Sequence, residues 1–398
     1  MSEWNELTIG ELPLTIGDGN YSSKYPSAKE FKTSGIPFIS NKDIKNGRIL
    51  SGDLRYIAPE KHAELKKGHI KEHDILVSTR ANIGDIAYVD ASFEDANINA
   101  QLVFLRCDEK TLHSKFLYHL LSSKHYHAIF QNHASGSAQM QLPIAALREI
   151  SITFPEFDEQ ESIAAVLGSL DDKIDLLHRQ NKTLEAMAAS LFRQWFVEEA
   201  QEDWDTLRVS DFVDVLSGFA FKSTTFTESG AYRLITIKAV QDGYLELAGA
   251  DRINEVPSKA PDYCYLKHGD ILLSLTGNVG RCCLVDDEGL LLNQRVAKLR
   301  AKNKRDWALV YVMFRQSSMK QYLEEMAKGT AQANLSPIET ANMEVSLPPI
   351  KTLELFSKVA TPLLEGVLFN KSQIRTIETL RDTLLPKLMS GEVRVEIN

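Results

Sequence analysis

The chain has 398 residues, 43% apolar and 25% charged, with a formal net charge of −9 at pH 7. That is the balance of an ordinary soluble globular protein with room for two to three domains. No apolar run approaches the roughly 18 residues of a membrane span, and the opening MSEWNELTIGEL has no signal-peptide pattern. The four cysteines (Cys107, Cys264, Cys282, Cys283) lack metal or redox spacing, so a reduced, cytoplasmic chain is expected.

In chain order, residues 1–155 read as a mixed α and β segment. DILVSTRANIG (Asp74 to Gly84) is a strand running into a turn, and IAYVD is its return strand. SKFLYHLLSSKHYHAIFQ has helical period, the loop GSAQMQL (Gly136 to Leu142) follows, and the strand REISITF leads to proline. Residues 156–200 then carry apolar positions at steps of four and three: Ile163, Leu167, Leu170, Ile174, Leu177, Asn181, Leu184, Ala188, Leu191 and Trp195. Such a stripe is the heptad seam of a coiled coil, a helix of roughly 50 Å at ~1.5 Å per residue. It is also where the acid collects, with four basic side chains against ten acidic ones, leaving the flanking segments near neutral and able to carry basic faces.

From residue 201 the chain repeats itself. DILLSLTGNVG (Asp270 to Gly280) answers DILVSTRANIG, ITIKAVQDG answers ISNKDIKNG, and CCLVDD is the second return strand. RDWALVYVMFRQSSMKQYLEEMA is helical, GTAQANL (Gly329 to Leu335) answers GSAQMQL at an offset of 193 residues, and Ser336-Pro337 is a helix start before the strand NMEVSLP. Residues 201–348 form this second segment. Residues 349–398 form a second long helix, with seam positions Phe356, Ala360, Leu363, Val367, Asn370, Ile374, Ile377, Arg381, Leu384 and Leu388. Pro362 is expected to kink or restart it, and Pro386 lies near its end. One asparagine sits on each seam, Asn181 and Asn370; a buried asparagine costs stability and fixes register and partner choice. With a two-fold relation between the halves, the second helix must run back antiparallel to the first. The expected fold is α+β, two pseudo-symmetric globular α/β domains joined by two long helices in an antiparallel coiled coil.

Catalytic motifs are missing from the sequence. No Gly-rich phosphate loop follows a strand, there is no NPPY- or DPPY-like amino-methylation motif, and LSGFAFKS (Leu216 to Ser223) lacks the strand–turn–helix of a cofactor loop. His69 and His73 stand four apart and could share a metal. However, the histidines of the first segment (His62, His69, His73, His113, His119, His125, His127, His133) are reduced to His268 in the second, so satisfied or surface histidines are expected and no metal site. Asp171 and Asp172 read as solvated charge on the coil exterior.

The helical stretches AAVLGSLDDKIDLLHRQNKTLEAMAASLFRQWFV and LRDTLLPKLMSGEVRV resemble the two conserved helical regions of type I restriction-modification specificity subunits. The strand-and-turn motifs, the doubled loop and the lead-ins FPEFDEQ and LPPIKTLE resemble that family's two target-recognition domains. The resemblance covers essentially the full length. It implies a non-catalytic subunit whose domains each read one half of a bipartite, asymmetric DNA site while the helices set the gap. It further implies two adenine methyltransferase subunits using S-adenosylmethionine, and two translocase/nuclease subunits using ATP and Mg. A non-catalytic scaffold or regulatory antagonist on the same fold is the alternative. No cofactor is expected in this chain. The residues expected at DNA are Arg80 and Asn82 with Thr276 and Asn278 at the strand tips, and Lys24, Lys42, Lys222 and Lys238 as phosphate contacts. Gln139, Gln141, Gln332 and Asn334 in the doubled loop carry amides able to pair with adenine edges. The competing reading is that this loop is shared architecture leading into a helix.

Overall fold

The computed structural model describes residues 4–19, 24–45, 47–136, 140–327 and 334–395. The chain folds as two compact units, one made of residues 1–173 and 377–398, the other of residues 174–376. Each contains one repeat together with segments of both long helices.

In the first unit, strand Ile75–Ser78 is buried on both faces, because its neighbours supply apolar cover above and below. It lies in an antiparallel four-stranded sheet of order Leu14–Asp18, Leu102–Cys107, Ile75–Ser78, Ile86–Tyr88. The period of two sends Ile75 and Val77 into a core shared with the helices, and Leu76 into a second core under a smaller sheet. That smaller sheet pairs Ile36–Ile39 antiparallel with Arg55–Ile57 and parallel with Asn97–Ile98. Strand Asn5–Thr8 closes on Ser151–Phe154.

The second unit repeats this plan sheet for sheet, while the first alone adds the short hairpin Ile44–Lys45 with Arg48–Ile49 among the described residues. Its four-stranded sheet runs Val213–Ser217, Val296–Ala301, Ile271–Ser274, Cys282–Leu284, and its smaller sheet joins Arg252–Ile253, Tyr232–Ile235 and Leu290–Leu292. The adjacent cysteines follow from the same alternation, since Cys282 enters one core and Cys283 the other. All four cysteines are free thiols. The glycine of LSGFAFKS has an architectural reason. A Cβ on Gly218 would lie 2.0 Å from the Asn293 carbonyl oxygen, and one on Gly19 lies 2.1 Å from that of Asn99.

The expected long helices form as Phe157–Arg193, followed by a π-helical turn Gln194–Glu198, and Ile350–Met389. In the first unit the buried Gln160 side chain ties the helix start to its domain, donating to the Pro155 carbonyl at 2.9 Å and accepting from His113 N at 3.0 Å. The two helices pair antiparallel within each unit. Arg381 meets Asp171 and Arg394 meets Glu159 in the first, while Asn370 meets Asn181 and the aromatic group Phe192, Trp195, Phe196 and Phe356 forms in the second. Ile163, Leu167, Ile174, Leu177, Asn181 and Ala188 are buried; Leu170, Leu184 and Leu191 are half-buried. On the second helix Val367, Asn370 and Ile374 are buried, and Leu363, Ile377 and Leu384 are half-buried.

Two expectations are corrected. Pro362 does not restart the helix, which runs unbroken through it and through Pro386 to Met389. Phe356, Ala360, Leu364 and Val367 are buried on either side of Pro362, and that packing offsets the roughly 3 kcal/mol an interior proline costs. Asp171 is not a solvated exterior charge either. Only 19% of its side chain is exposed, and it pairs with Arg381 at 2.8 Å, because position 381 places an arginine on the seam facing it. Nearby, burial holds His119 down to about 4 against the opposing charge of Asp171, so this histidine is neutral.

The seam asparagines find each other. Asn370 Nδ2 donates to Asn181 Oδ1 at 2.9 Å, and both residues are buried. Asn370→Leu therefore leaves the Asn181 amide unpaired and is expected to cost about 1–3 kcal/mol in thermal or urea unfolding. Replacing both by leucine should restore stability to at least the starting level. A single variant as stable as the parent would show that the pair does not stay buried.

Candidate nucleic-acid interface

The strand tips and the doubled loops come together in both units. Beyond Ser78 the chain turns through Ala81 in the left-handed region (φ 60°), as it does beyond Ser274 through Gly277 (φ 74°). In the first unit Arg80 forms a β-bridge with Gln141, and Leu142 N donates to the Thr79 carbonyl at 2.9 Å. In the second unit Thr276 bridges Asn334, and Leu335 N donates to the Leu275 carbonyl at 2.7 Å. The last two residues of each doubled loop, Gln141–Leu142 and Asn334–Leu335, are thus latched onto the tips before the short helices Ile144–Arg148 and Pro337–Asn342. Ser336 caps the latter, accepting from Ile338 N, while Glu339 accepts from Ser336 N.

The side chains sort by position. Asn82, Asn278, Gln141 and Asn334 are exposed, as are Lys24, Lys42, Lys222 and Lys238, and Arg80 is half-buried. Thr276 is only 4% exposed, and its hydroxyl donates to Asn334 Oδ1 at 2.6 Å. It fixes the loop rather than facing solvent. Gln139 and Gln332 lie outside the described residues.

The structure adds residues that periodicity does not reveal. A cleft of about 600 Å³ in the first unit brings Arg80 and Lys42 together with Arg55, Tyr25, Asn99 and Gln101. Three cations and several amides line it, and among the described residues no carboxylate does. Asp43, next in sequence to the lining Lys42, is buried and accepts from the Ser40 backbone (2.8 Å) and hydroxyl (2.6 Å). Asn99 and Gln101 brace each other through a side-chain bond of 3.1 Å. Burial raises the Tyr25 phenol above its ordinary value, opposed by the Arg55 charge and hydrogen bond, so it remains a protonated donor. Such a surface suits phosphate oxygens and base edges.

The register of the small sheets carries this frame onto the second unit. Asn293 stands where Asn99 does, and the exposed Gln294 and Arg295 replace Ala100 and Gln101. The signal in the sequence is NAQLVFLR (Asn99 to Arg106) against NQRVAKLR (Asn293 to Arg300). A buried ion pair also moves by one alternation. Asp74 is held by Arg106 at 2.7 and 2.8 Å, whereas its counterpart Asp270 is held by Lys298 at 2.6 Å.

Comparison with known proteins follows the same lines. The family model described as "Type I restriction modification DNA specificity domain" matches residues 1–186 and again 201–378. The MjaIX specificity subunit of a type I restriction enzyme from Methanocaldococcus jannaschii is 25% identical, over 99% of this chain and 94% of its own. The HindI specificity subunit from Haemophilus influenzae is 21% identical over 99% of this chain and all of its own. The crystal structure of a type I restriction-modification S subunit from M. genitalium shares the fold, with a TM-score of 0.58 and 17% identity over 99% and 97% of the two chains. Two copies of one DNA-specificity domain, each built around the same latched tip, account for nearly the whole sequence: the chain belongs to the type I restriction-modification specificity subunits.

Proposed function

We propose that each unit reads one half of a bipartite, asymmetric DNA site on behalf of catalytic partners. The carrying observation is one backbone frame presenting two chemistries. By register, Arg80, Ala100 and Gln101 of the first unit correspond to Thr276, Gln294 and Arg295 of the second, so the half-buried arginine gives way to a threonine turned into its own loop and Gln101 to an exposed arginine. Arginine bidentate to guanine and amides bidentate to adenine are discriminating contacts, so exchanging them on a fixed frame changes the sequence read. Lys24, Lys42, Lys222 and Lys238 contact phosphate, with Asn82, Asn278, Gln141 and Asn334 beside them on the exposed tips.

In this reading the chain is itself non-catalytic, holds no cofactor and works in the cytoplasm; among its described residues no helix is long and apolar enough to cross a membrane. Adenine methylation with S-adenosylmethionine falls to two methyltransferase subunits, and ATP- and Mg-dependent restriction to two translocase/nuclease subunits. Support for a protein partner on the helices comes from Leu355, Val359 and Phe369, which stand 58%, 44% and 63% exposed on the second long helix.

Methylation mapping of genomic DNA treated with the chain and its modification subunit should give one split adenine-methylated sequence. The chain alone should give none. Arg80→Ala should weaken that site by about 1–3 kcal/mol and relax one position in it. Methylation or cleavage by the chain alone would contradict the reading.

A further inference from the structure

A cluster of metal-binding donors stands outside the DNA-facing cleft. His62 comes from helix Pro59–Glu64, His69 from the segment bridged to Asn97, and Asp95 from the turn after Ala91–Phe93. His62 Nε2 lies 3.1 Å from Asp95 Oδ2, and His69 Nδ1 lies 3.4 Å from Asp95 Oδ1. The two imidazoles meet edge-on, 4.4 Å between centroids, and the three donor atoms are all within 4.8 Å of one another.

The outer hydrogen bonds determine which ring atoms carry lone pairs. His69 Nε2 is against the Leu65 carbonyl, which only accepts, so this nitrogen carries the proton. His62 Nδ1 is likewise 2.5 Å from Asn97 Oδ1. With those nitrogens turned outward, His62 Nε2 and His69 Nδ1 both converge on the Asp95 carboxylate, which is the placement of three donors around one cation. Orienting a ligand imidazole through its other N–H is the usual outer support of a metal site. Nitrogen and oxygen ligands about 2.0–2.2 Å from a tetrahedral ion stand about 3.3 Å apart, close to both separations here.

The second unit supplies an internal control. In register, Tyr265 replaces His69, Leu291 replaces Asn97 and Gly289 replaces Asp95. Both Asp95 (φ 59°) and Gly289 (φ 67°) are left-handed. Glycine meets that backbone demand without strain and aspartate is among the residues that tolerate it, so the same turn carries a carboxylate in the first unit and none in the second. Two of the three donors are thus exchanged, and Leu291, in place of Asn97, packs with Leu234 and Ile253. His73, four residues from His69, is not part of the set and meets the Tyr88 hydroxyl at 2.7 Å.

We propose that His62, His69 and Asp95 bind one zinc-type divalent cation that pins helix Pro59–Glu64 to the small sheet of the first unit. Imidazole and carboxylate donors suit zinc and its spectroscopic substitute cobalt. The test uses the untagged full chain, titrated with Zn²⁺ by calorimetry and with Co²⁺ by visible absorption. One equivalent should bind, with cobalt ligand-field bands. His69→Gln and Asp95→Gly should each weaken binding at least tenfold, and His73→Ala should leave it unchanged. Asp95→Gly adopts the residue the second unit uses at this backbone position, so it retains the fold, checked by circular dichroism. No stoichiometric binding by the parent chain, or binding that survives the His62→Ala/His69→Gln pair, overturns the proposal.

Discussion

Leu177→Asp should abolish assembly of the complex, while Leu176→Asp, one residue away, should leave it intact. Leu177 is 1% exposed on the seam between Ile174 and Asn181, whereas Leu176 is 40% exposed. A carboxylate at position 177 takes the place of a side chain that is almost wholly out of water. It must ionise unpaired or take up a proton, and either route costs roughly 3–5 kcal/mol by the usual scale for an uncompensated buried charge. Total stabilities are only about 5–15 kcal/mol, so a loss of that size lowers the folded fraction and the melting temperature visibly. At position 176 the same change is a surface substitution, within about 0.5 kcal/mol of neutral. Thermal melts and co-purification with the modification subunit check both. Equal behaviour of the two variants would place the seam elsewhere.

The contrast between neighbouring leucines also shows why the helices were legible before any coordinates. A heptad stripe is a local, periodic signal, and Ile163 to Leu191 follows it without a break. The doubled loop was legible as a repeat, but its role was not. Only the backbone bridges of Gln141 to Arg80 and Asn334 to Thr276 show that it latches the strand tips. The cleft was half legible. Arg80 and Lys42 lie at recognisable turns, whereas Arg55, Asn99 and Gln101 arrive through a three-stranded sheet with a parallel pairing, Phe38 to Asn97, between segments far apart in sequence. No period of two or 3.6 announces such a pairing. The approach of His62 and Asp95 to His69 is hidden for the same reason, since spacing pairs His69 with His73 instead. Pro362 was misread because local propensity was weighed without the tertiary packing that overrides it.

Exchanging residues 1–155 for the equivalent segment of a relative with a different site tests the central claim of two independent readers. The swap replaces the whole cleft of the first unit, including Arg80, Asn99 and Gln101, and keeps the frame of Arg295, Asn293 and Asn334 in the second. It leaves both helices in place, so the bases between the half-sites should keep their number. A lost bidentate contact costs about 1–3 kcal/mol per base pair, so replacing several at once changes the preferred half-site outright. Single-molecule methylation mapping of the exchanged complex is the most direct measurement. The account predicts a new first half, an unchanged second half and an unchanged gap; alteration of both halves, or of the second alone, would contradict it.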